Sequence, residues 1–430
     1  MTVATPLAHD SAHLHVTGQA RYVDDIPLPR NAVHLAFGRS PVAHGKLVSL
    51  NLDRVRAAKG VVAVIAAGDL DHEIDVSPSP SPEPLLARDI VHYVGQPLFF
   101  VVADTHLDAR RAAALADVEI EEWPAILTLD EALAADSRFE EGPRIYQRGD
   151  VTTAIESAPR TLTGSLTLGG QEHFYLEGQA AAVLPQEGGD MIVHSSSQHP
   201  TEIQHKVADA LGLPMNAVRV EVRRMGGGFG GKESQGNSLA IACTLAARAT
   251  GRPAAMRYDR DDDMIITGKR HDFRIDYRVG FADDGRILGV EFLQLCRCGW
   301  SMDLSLPVAD RAMLHADNAY FIPNMRVESH RLKTNTQSAT AFRGFGGPQG
   351  MVGIERVLDH VAHAVGRDPL EVRRLNYYRP SAEDTEVQTT HYHMPVEDFI
   401  LHEMTERLVE TSDYHARRKA VAEWNAQNDV

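Results

Sequence analysis

Between Arg223 and Ser234 the chain reads R-R-M-G-G-G-F-G-G-K-E-S, with five glycines among twelve residues. Such a run cannot lie inside a helix or strand, where each glycine costs roughly 0.5–1 kcal/mol relative to alanine. Before it, Ala217 to Arg223 alternate apolar and charged in strand period. After it, Gln235 to Ala249 place small and apolar residues at helical spacing. The stretch is therefore a loop leaving a strand and entering a helix, a geometry that aims backbone N–H groups at an anionic or oxo-rich ligand.

Two generic motifs overlap here. Gly226-Gly-Gly228-Phe-Gly-Gly231 satisfies G-x-G-x-x-G, but it lies deep in the chain, outside an obvious βαβ array. Gly226-x4-Gly231-Lys232 satisfies most of a triphosphate loop. Where that loop needs a Mg²⁺-binding Ser or Thr, Glu233 stands instead, and a carboxylate there repels phosphate. Nucleotide binding remains a third, poorer alternative.

With 430 residues, 43% hydrophobic and 24% charged, the chain has globular values and room for two or three domains. A formal net charge of −16 argues against nucleic acid or an anionic membrane as partner. No apolar run approaches the roughly 20 residues that span a bilayer, and no signal peptide is visible after Met1. Cys243, Cys296 and Cys298 fit a reducing cytoplasm and cannot supply the four thiolates of an iron–sulfur cluster.

Residues 1–135 read as a compact α+β unit. Strands are predicted at Val33–Phe37, Val61–Ala67, Leu98–Val102 and Val118–Glu122, and Thr105 caps a helix. Ser77 to Pro84 carries prolines at 78, 80, 82 and 84, so an extended surface loop is expected. Residues 136–380 read as a second, mixed α/β unit. It has strands at Arg160–Leu168, Ala180–Leu184, Met191–His194, Ala254–Tyr258, Asp272–Val279, Ile287–Leu295 and Arg326–Leu332. Its second glycine loop, Thr340-Ala-Phe-Arg-Gly-Phe-Gly-Gly-Pro348, feeds an amphipathic helix carrying Val352, Ile354, Val357, Leu358, Val361 and Val365. Residues 381–430 are polar and irregular to Pro395, then helical over Val396–Val409 and Ala416–Asn428.

Met225-Gly-Gly-Gly-Phe-Gly-Gly-Lys-Glu233 and Thr340-Ala-Phe-Arg-Gly-Phe-Gly-Gly-Pro-Gln349 together resemble the large, molybdopterin-binding part of the molybdenum hydroxylase family of xanthine dehydrogenases and aldehyde oxidases. Gly18 to Asp25, Gly95-Gln-Pro97, Gly169 to Glu177, Thr267 to His271 and Arg311 to His315 extend the likeness over residues from about 5 to 380. The resemblance implies an N-terminal α/β hammerhead domain, a first molybdopterin-binding domain, and a linker leading into the start of a second.

It also implies site residues. Gln198 is similar to the glutamine that hydrogen-bonds a molybdenum oxo ligand. Gly228, Phe229 and Gly230 match the main chain around the cofactor, and Arg343 lies near it, so that Gln198, Phe229 and Arg343 approach the metal through the cofactor. Glu233 matches the substrate glutamate, Arg311 the arginine that stabilises charge on a purine oxygen, and Phe345 the aromatic packed against the substrate ring. Aldehyde oxidases characteristically lack this Glu/Arg pair, so both together imply oxidation of hypoxanthine or xanthine to urate, with water as oxygen source.

The general-base glutamate of the family lies in a Gly-Glu-Pro-Pro motif that these 430 residues do not contain; nor do they contain its Met-Gly-Gln-Gly cofactor motif. Both are expected on a further C-terminal half, and iron–sulfur clusters and FAD on a small partner chain. Aldehyde or other N-heterocycle hydroxylation is the enzymatic alternative, and a non-catalytic truncated remnant or assembly scaffold the alternative of another class. Cys296-Arg-Cys298 and His391-Tyr-His393 lack spaced partner pairs and read as structural, and Asp259 to Asp263 lacks the glycine and terminal glutamate of a calcium loop and reads as a capping turn.

Overall fold

The computed structural model describes residues 5–379 and 387–428. Part of the polar segment after Arg379 lies outside the described residues. Two main sheets organise the chain. The larger has seven strands in the order Val218–Glu221, Met191–Ser195, Ala180–Pro185, Ala254–Arg257, Val33–Arg39, Pro97–Ala103, Val61–Ala66. The N-terminal strands therefore continue the sheet that ends at the glycine loop. The join is the parallel pairing of Val33 with Ala254 and His34 with Ala255.

Small residues explain how this sheet is covered. The strand Ala180–Pro185 begins with three buried alanines, and the helix Asn237–Thr250 packs over it with Ala240, Ala242, Ala246 and Ala247 buried. Pro200–Leu211 lies beside that helix, starts on a proline and stops at Gly212.

The second sheet orders Arg144–Arg148, Met325–Lys333, Ile287–Gly299, Phe273–Phe281 and Arg160–Leu168. Ile354, Val357, Leu358 and Val361 of the helix Gly347–Val365 are fully buried in the core on this sheet. Each such side chain contributes about 1.5–3 kcal/mol of burial. Val352 departs from the expected stripe and is exposed.

Two features go beyond the sequence reading. The proline-rich loop lies at the surface over its tip, where Pro80 and Pro82 are exposed, but its start is anchored: Val76 and Ser77 are buried, and Asn237 Nδ2 donates to Val76 O at 3.0 Å. Asp75 Oδ1 accepts from the N–H groups of both Ser77 and Glu83, closing the loop on itself. The helix Ser305–Leu314, which carries Arg311, is not legible in the sequence because Pro307 interrupts it. Pro307 is in the first turn, where a missing N–H costs nothing.

The C-terminal helices are Leu401–Thr411 and Tyr414–Gln427; the second buries no residue, and Leu408 and Trp424 are exposed. Among the described residues no helix is long and apolar enough to cross a membrane.

Candidate functional site

The first glycine loop is shaped by side chains gripping its main chain. Gln198 follows the strand Met191–Ser195, and its own N–H donates to Lys232 O at 2.7 Å. Its Oε1 accepts from Gly230 N at 2.8 Å and from Lys232 N at 3.3 Å. With the oxygen so engaged, Nε2 is the end left to donate outwards. A Cβ at Gly228 would stand 2.4 Å from Gln198 Oε1, so only glycine leaves that amide in place. The N–H groups of Gly228 and Phe229 have no protein acceptor among the described residues.

Glu177 holds both ends of the loop. Its Oε2 accepts from Gly226 N at 2.7 Å and pairs with Lys232 Nζ at 3.0 Å. Lys232 is fully buried, and its ammonium also lies 4.7 Å from the centre of the Tyr175 ring. Burial pulls the Lys232 pKa down and Glu177 opposes this. Tyr175 donates to Asp263 at 2.7 Å, and Gln179 Nε2 donates to Gly231 O at the same distance. The expected site residues did not include Glu177 or Lys232, although both lie inside the motifs that carry the resemblance.

The second glycine loop is clamped against the first. Arg343 N donates to Phe229 O at 2.7 Å, and a Cβ on Gly230 would meet Ala341 O at 2.6 Å. His173 lies between them: its Nε2 contacts Ala341 O at 2.6 Å and its ring blocks any side chain at Gly231. Burial, the largest influence, pulls its pKa down and keeps it neutral. Arg270 stacks 4.0 Å over the Phe342 ring and donates to Arg343 O at 2.9 Å. Phe229 and Phe345, each flanked by glycines, both have left-handed φ, +54° and +50°. Aromatic residues rarely adopt it, and strain of this kind gathers at ligand sites.

The residues expected on the substrate side are spread over three elements. Glu233 follows the first loop and is half-buried; burial, then the charge of Asp303, raise its pKa, while His199 opposes. Phe345 is partly buried at the head of the helix Gly347–Val365. Arg311 is exposed on the helix Ser305–Leu314, and its guanidinium has no ion pair among the described residues. The adjacent Asp310 is taken instead by Arg144 and Arg331. Gly346 ties these elements together, because a Cβ there would lie 1.9 Å from Val308 O, within the turn preceding Arg311. Arg343 is likewise exposed and unpaired among the described residues.

The minor constellations are structural. His391 pairs with Asp317 at 3.2 Å and with Met313 O at 2.9 Å. Cys296 and Cys298 have sulfurs 3.7 Å apart, with His271 in the same cluster. These are three donors where structural zinc takes four, and His271 Nε2 is already engaged by Ser305 at 2.8 Å.

The two interlocked glycine loops thus present free N–H donors and unpaired guanidinium groups, a set of groups suited to an anionic or oxo-rich ligand. The molybdopterin cofactor-binding domain family matches residues 138–377, and the aldehyde oxidase and xanthine dehydrogenase a/b hammerhead domain matches residues 17–124. The chain belongs to the molybdopterin cofactor-binding domain family. It is 41% identical over 428 residues to the xanthine dehydrogenase of Drosophila subobscura and 40% identical over 428 residues to the xanthine dehydrogenase/oxidase of Gallus gallus. These matches cover 99% of this chain but only 31% of either relative. Among solved structures, quinoline 2-oxidoreductase from Pseudomonas putida 86 is 25% identical, with a TM-score of 0.90 over 99% of this chain and 56% of its own. Aldehyde oxidoreductase from Desulfovibrio gigas is 27% identical, with a TM-score of 0.87 over 98% of this chain and 47% of its own. The mixed α/β architecture, hammerhead followed by molybdopterin-binding domain, is that of the family. The donor set fits its cofactor: an outward amide donor at Gln198, free N–H groups at Gly228 and Phe229, and the free cation of Arg343.

Proposed function

We propose that this chain is the cofactor-holding part of a purine hydroxylase that converts hypoxanthine or xanthine to urate with water as oxygen source. The observation that carries the reading is an open donor cradle followed on the same loop by Glu233, with Arg311 free on the neighbouring helix. When bound, the molybdenum cofactor supplies oxygen transfer and two-electron redox chemistry. Gln198 would donate its amide N–H to an oxo-type acceptor, and the free N–H groups of Gly228 and Phe229 would add donors to it. Arg343 would offer its free cation to an anionic part of the cofactor.

Glu233 receives the purine. Its raised pKa lets a protonated carboxyl donate to a ring nitrogen or oxygen, while the ionised form accepts from a ring N–H. Arg311 stabilises charge developing on a purine oxygen, and Phe345 packs on the ring face. Residues 1–135 form the hammerhead unit, 136–380 the first cofactor domain, and 381–430 the link into a second. A C-terminal half supplies the general base, and a cytoplasmic partner carries iron–sulfur clusters and FAD.

In the assembled protein, Arg311→Met should lower purine kcat/KM roughly 10- to 100-fold, the worth of one charge-assisted hydrogen bond, and leave aldehyde turnover nearly intact. Equal losses on both substrates would favour the aldehyde or N-heterocycle alternative. Turnover of neither by the unmodified protein would favour a non-catalytic scaffold.

A further inference from the structure

Between the proline-rich loop and the residues just after Glu233 lies a narrow, partly open cavity of about 30 Å³. Its walls come from distant parts of the chain: Glu83 and Gln96 from the N-terminal unit, Ser234 and Tyr258 around the glycine-loop helix, and Trp300 and Asp303 after the longest strand. Gln96, Tyr258, Trp300 and Asp303 are at most 7% exposed. Yet Gln96 Nε2, Tyr258 OH, Trp300 Nε1 and Asp303 Oδ2 have no hydrogen-bond partner among the described residues.

An unmet buried polar atom costs about 1–3 kcal/mol, so several around one cavity call for an occupant. A cavity needs roughly 10–15 Å³ to admit a water. The chemistry of the wall narrows the choice. Gln96 Nε2 and Trp300 Nε1 can only donate, which repels a cation; Asp303 and Glu83 accept when ionised, which repels an anion. Water satisfies both kinds.

We propose that this cavity is a water site in which ordered water joins Glu83 to Asp303, so that the two carboxyl groups titrate as a coupled pair beside the segment carrying Glu233. The link to that segment is direct, because Ser234 Oγ donates to Asp303 Oδ1 at 2.5 Å. Burial is the main cause that pushes Asp303 up to about 6 and Glu83 up to about 7. Around Asp303, Ser234, Thr340 and the Leu304 N–H oppose the rise and Glu202 adds to it. Around Glu83, Asp303 and Asp75 add to it, and the Ser301 hydroxyl opposes it without reaching hydrogen-bond geometry. Asp75 is itself paired with Lys206 at 3.0 Å. The repulsion falls on Glu83 because it ionises second. Asp303 passes the same influence to Glu233.

Two measurements on the full protein test this. A high-resolution crystal structure with a rubidium soak should place ordinary solvent density within hydrogen-bond reach of Trp300 Nε1 and Asp303 Oδ2. An anomalous rubidium peak there, or an empty cavity, overturns the water site. Infrared pH titration of protonated carboxyl bands follows the pair. Asp303→Asn should move the Glu83 midpoint to lower pH by about one unit, the coupling at which two sites titrate together. An unchanged Glu83 midpoint overturns the coupling. If Asp303→Asn does not fold, the same titration of Trp300→Phe is read instead. Losing a donor to the bridging water should shift both carboxyl midpoints, and two unshifted midpoints count against the bridge.

Discussion

The two glycine loops share a composition, and each puts a phenylalanine at left-handed φ, yet their glycines do different work. In the first loop, Gly226, Gly228 and Gly231 face side chains, those of Glu177, Gln198 and His173, and only Gly230, where the two loops meet, faces main chain, that of Ala341. In the second, Gly346, like Gly350 in the helix that follows it, faces a main-chain carbonyl of the helix Ser305–Leu314, which would lie 1.9 Å from a Cβ at Gly346 and 2.1 Å from one at Gly350. A side chain can swing away and a helix backbone cannot. The first loop therefore uses glycine to keep a polar cradle in shape, and the second uses it to seat one helix on another.

That contrast fixes what substitutions should do. The largest loss of stability is expected for Glu177→Ala, which strands the fully buried Lys232 ammonium and should cost roughly 3–5 kcal/mol in urea unfolding. A loss below about 1 kcal/mol would mean the loop is not held by this ion pair. Gly346→Ala combines a φ of +92° with the backbone collision and should cost roughly 2–5 kcal/mol. If Gly346→Ala were tolerated as well as a side-chain-facing position, the distinction between the loops would fail.

A smaller, pH-dependent effect is expected at the junction with the hammerhead unit. Glu83 rises from 4.5 to about 7 on folding, so the folded state binds a proton more tightly than the unfolded one. Its contribution is fully present below pH 4.5 and is lost as pH rises towards 7. Glu83→Gln should flatten that part of the stability profile, and an unaltered slope would assign it to other groups. Thr105→Ala removes the cap that accepts from Asp108 N and should cost about 1 kcal/mol, a reference for a change remote from both loops.

Much of this was legible in the sequence. The strand–loop–helix reading of Arg223–Ser234 needed only periodicity and glycine count, and the structure has a strand at Val218–Glu221 and a helix at Asn237–Thr250. What stayed hidden depends on contacts between distant residues. Nothing local announces that Val33 pairs with Ala254, or that Glu177 reaches Lys232 across a separation of 55 residues. The anchoring of the proline-rich loop was unreadable for the same reason: the carbonyl of Val76 at its start is met by Asn237, in the other unit. Arg311 could be named from its motif, but its freedom from Asp310 depends on Arg144 and Arg331, which occupy that carboxylate from elsewhere in the chain.

The central claim is that the first loop is a cofactor cradle and not a packing device. Gly228→Ala tests it most directly, because the three atoms nearest its Cβ would all belong to the Gln198 side chain, whose amide it would displace. Molybdenum and pterin content should be measured on the purified assembled protein alongside its thermal unfolding. The account predicts loss of most of the cofactor with stability changed by about 1 kcal/mol or less. Full cofactor loading in Gly228→Ala, or loss of cofactor only together with global unfolding, would contradict it.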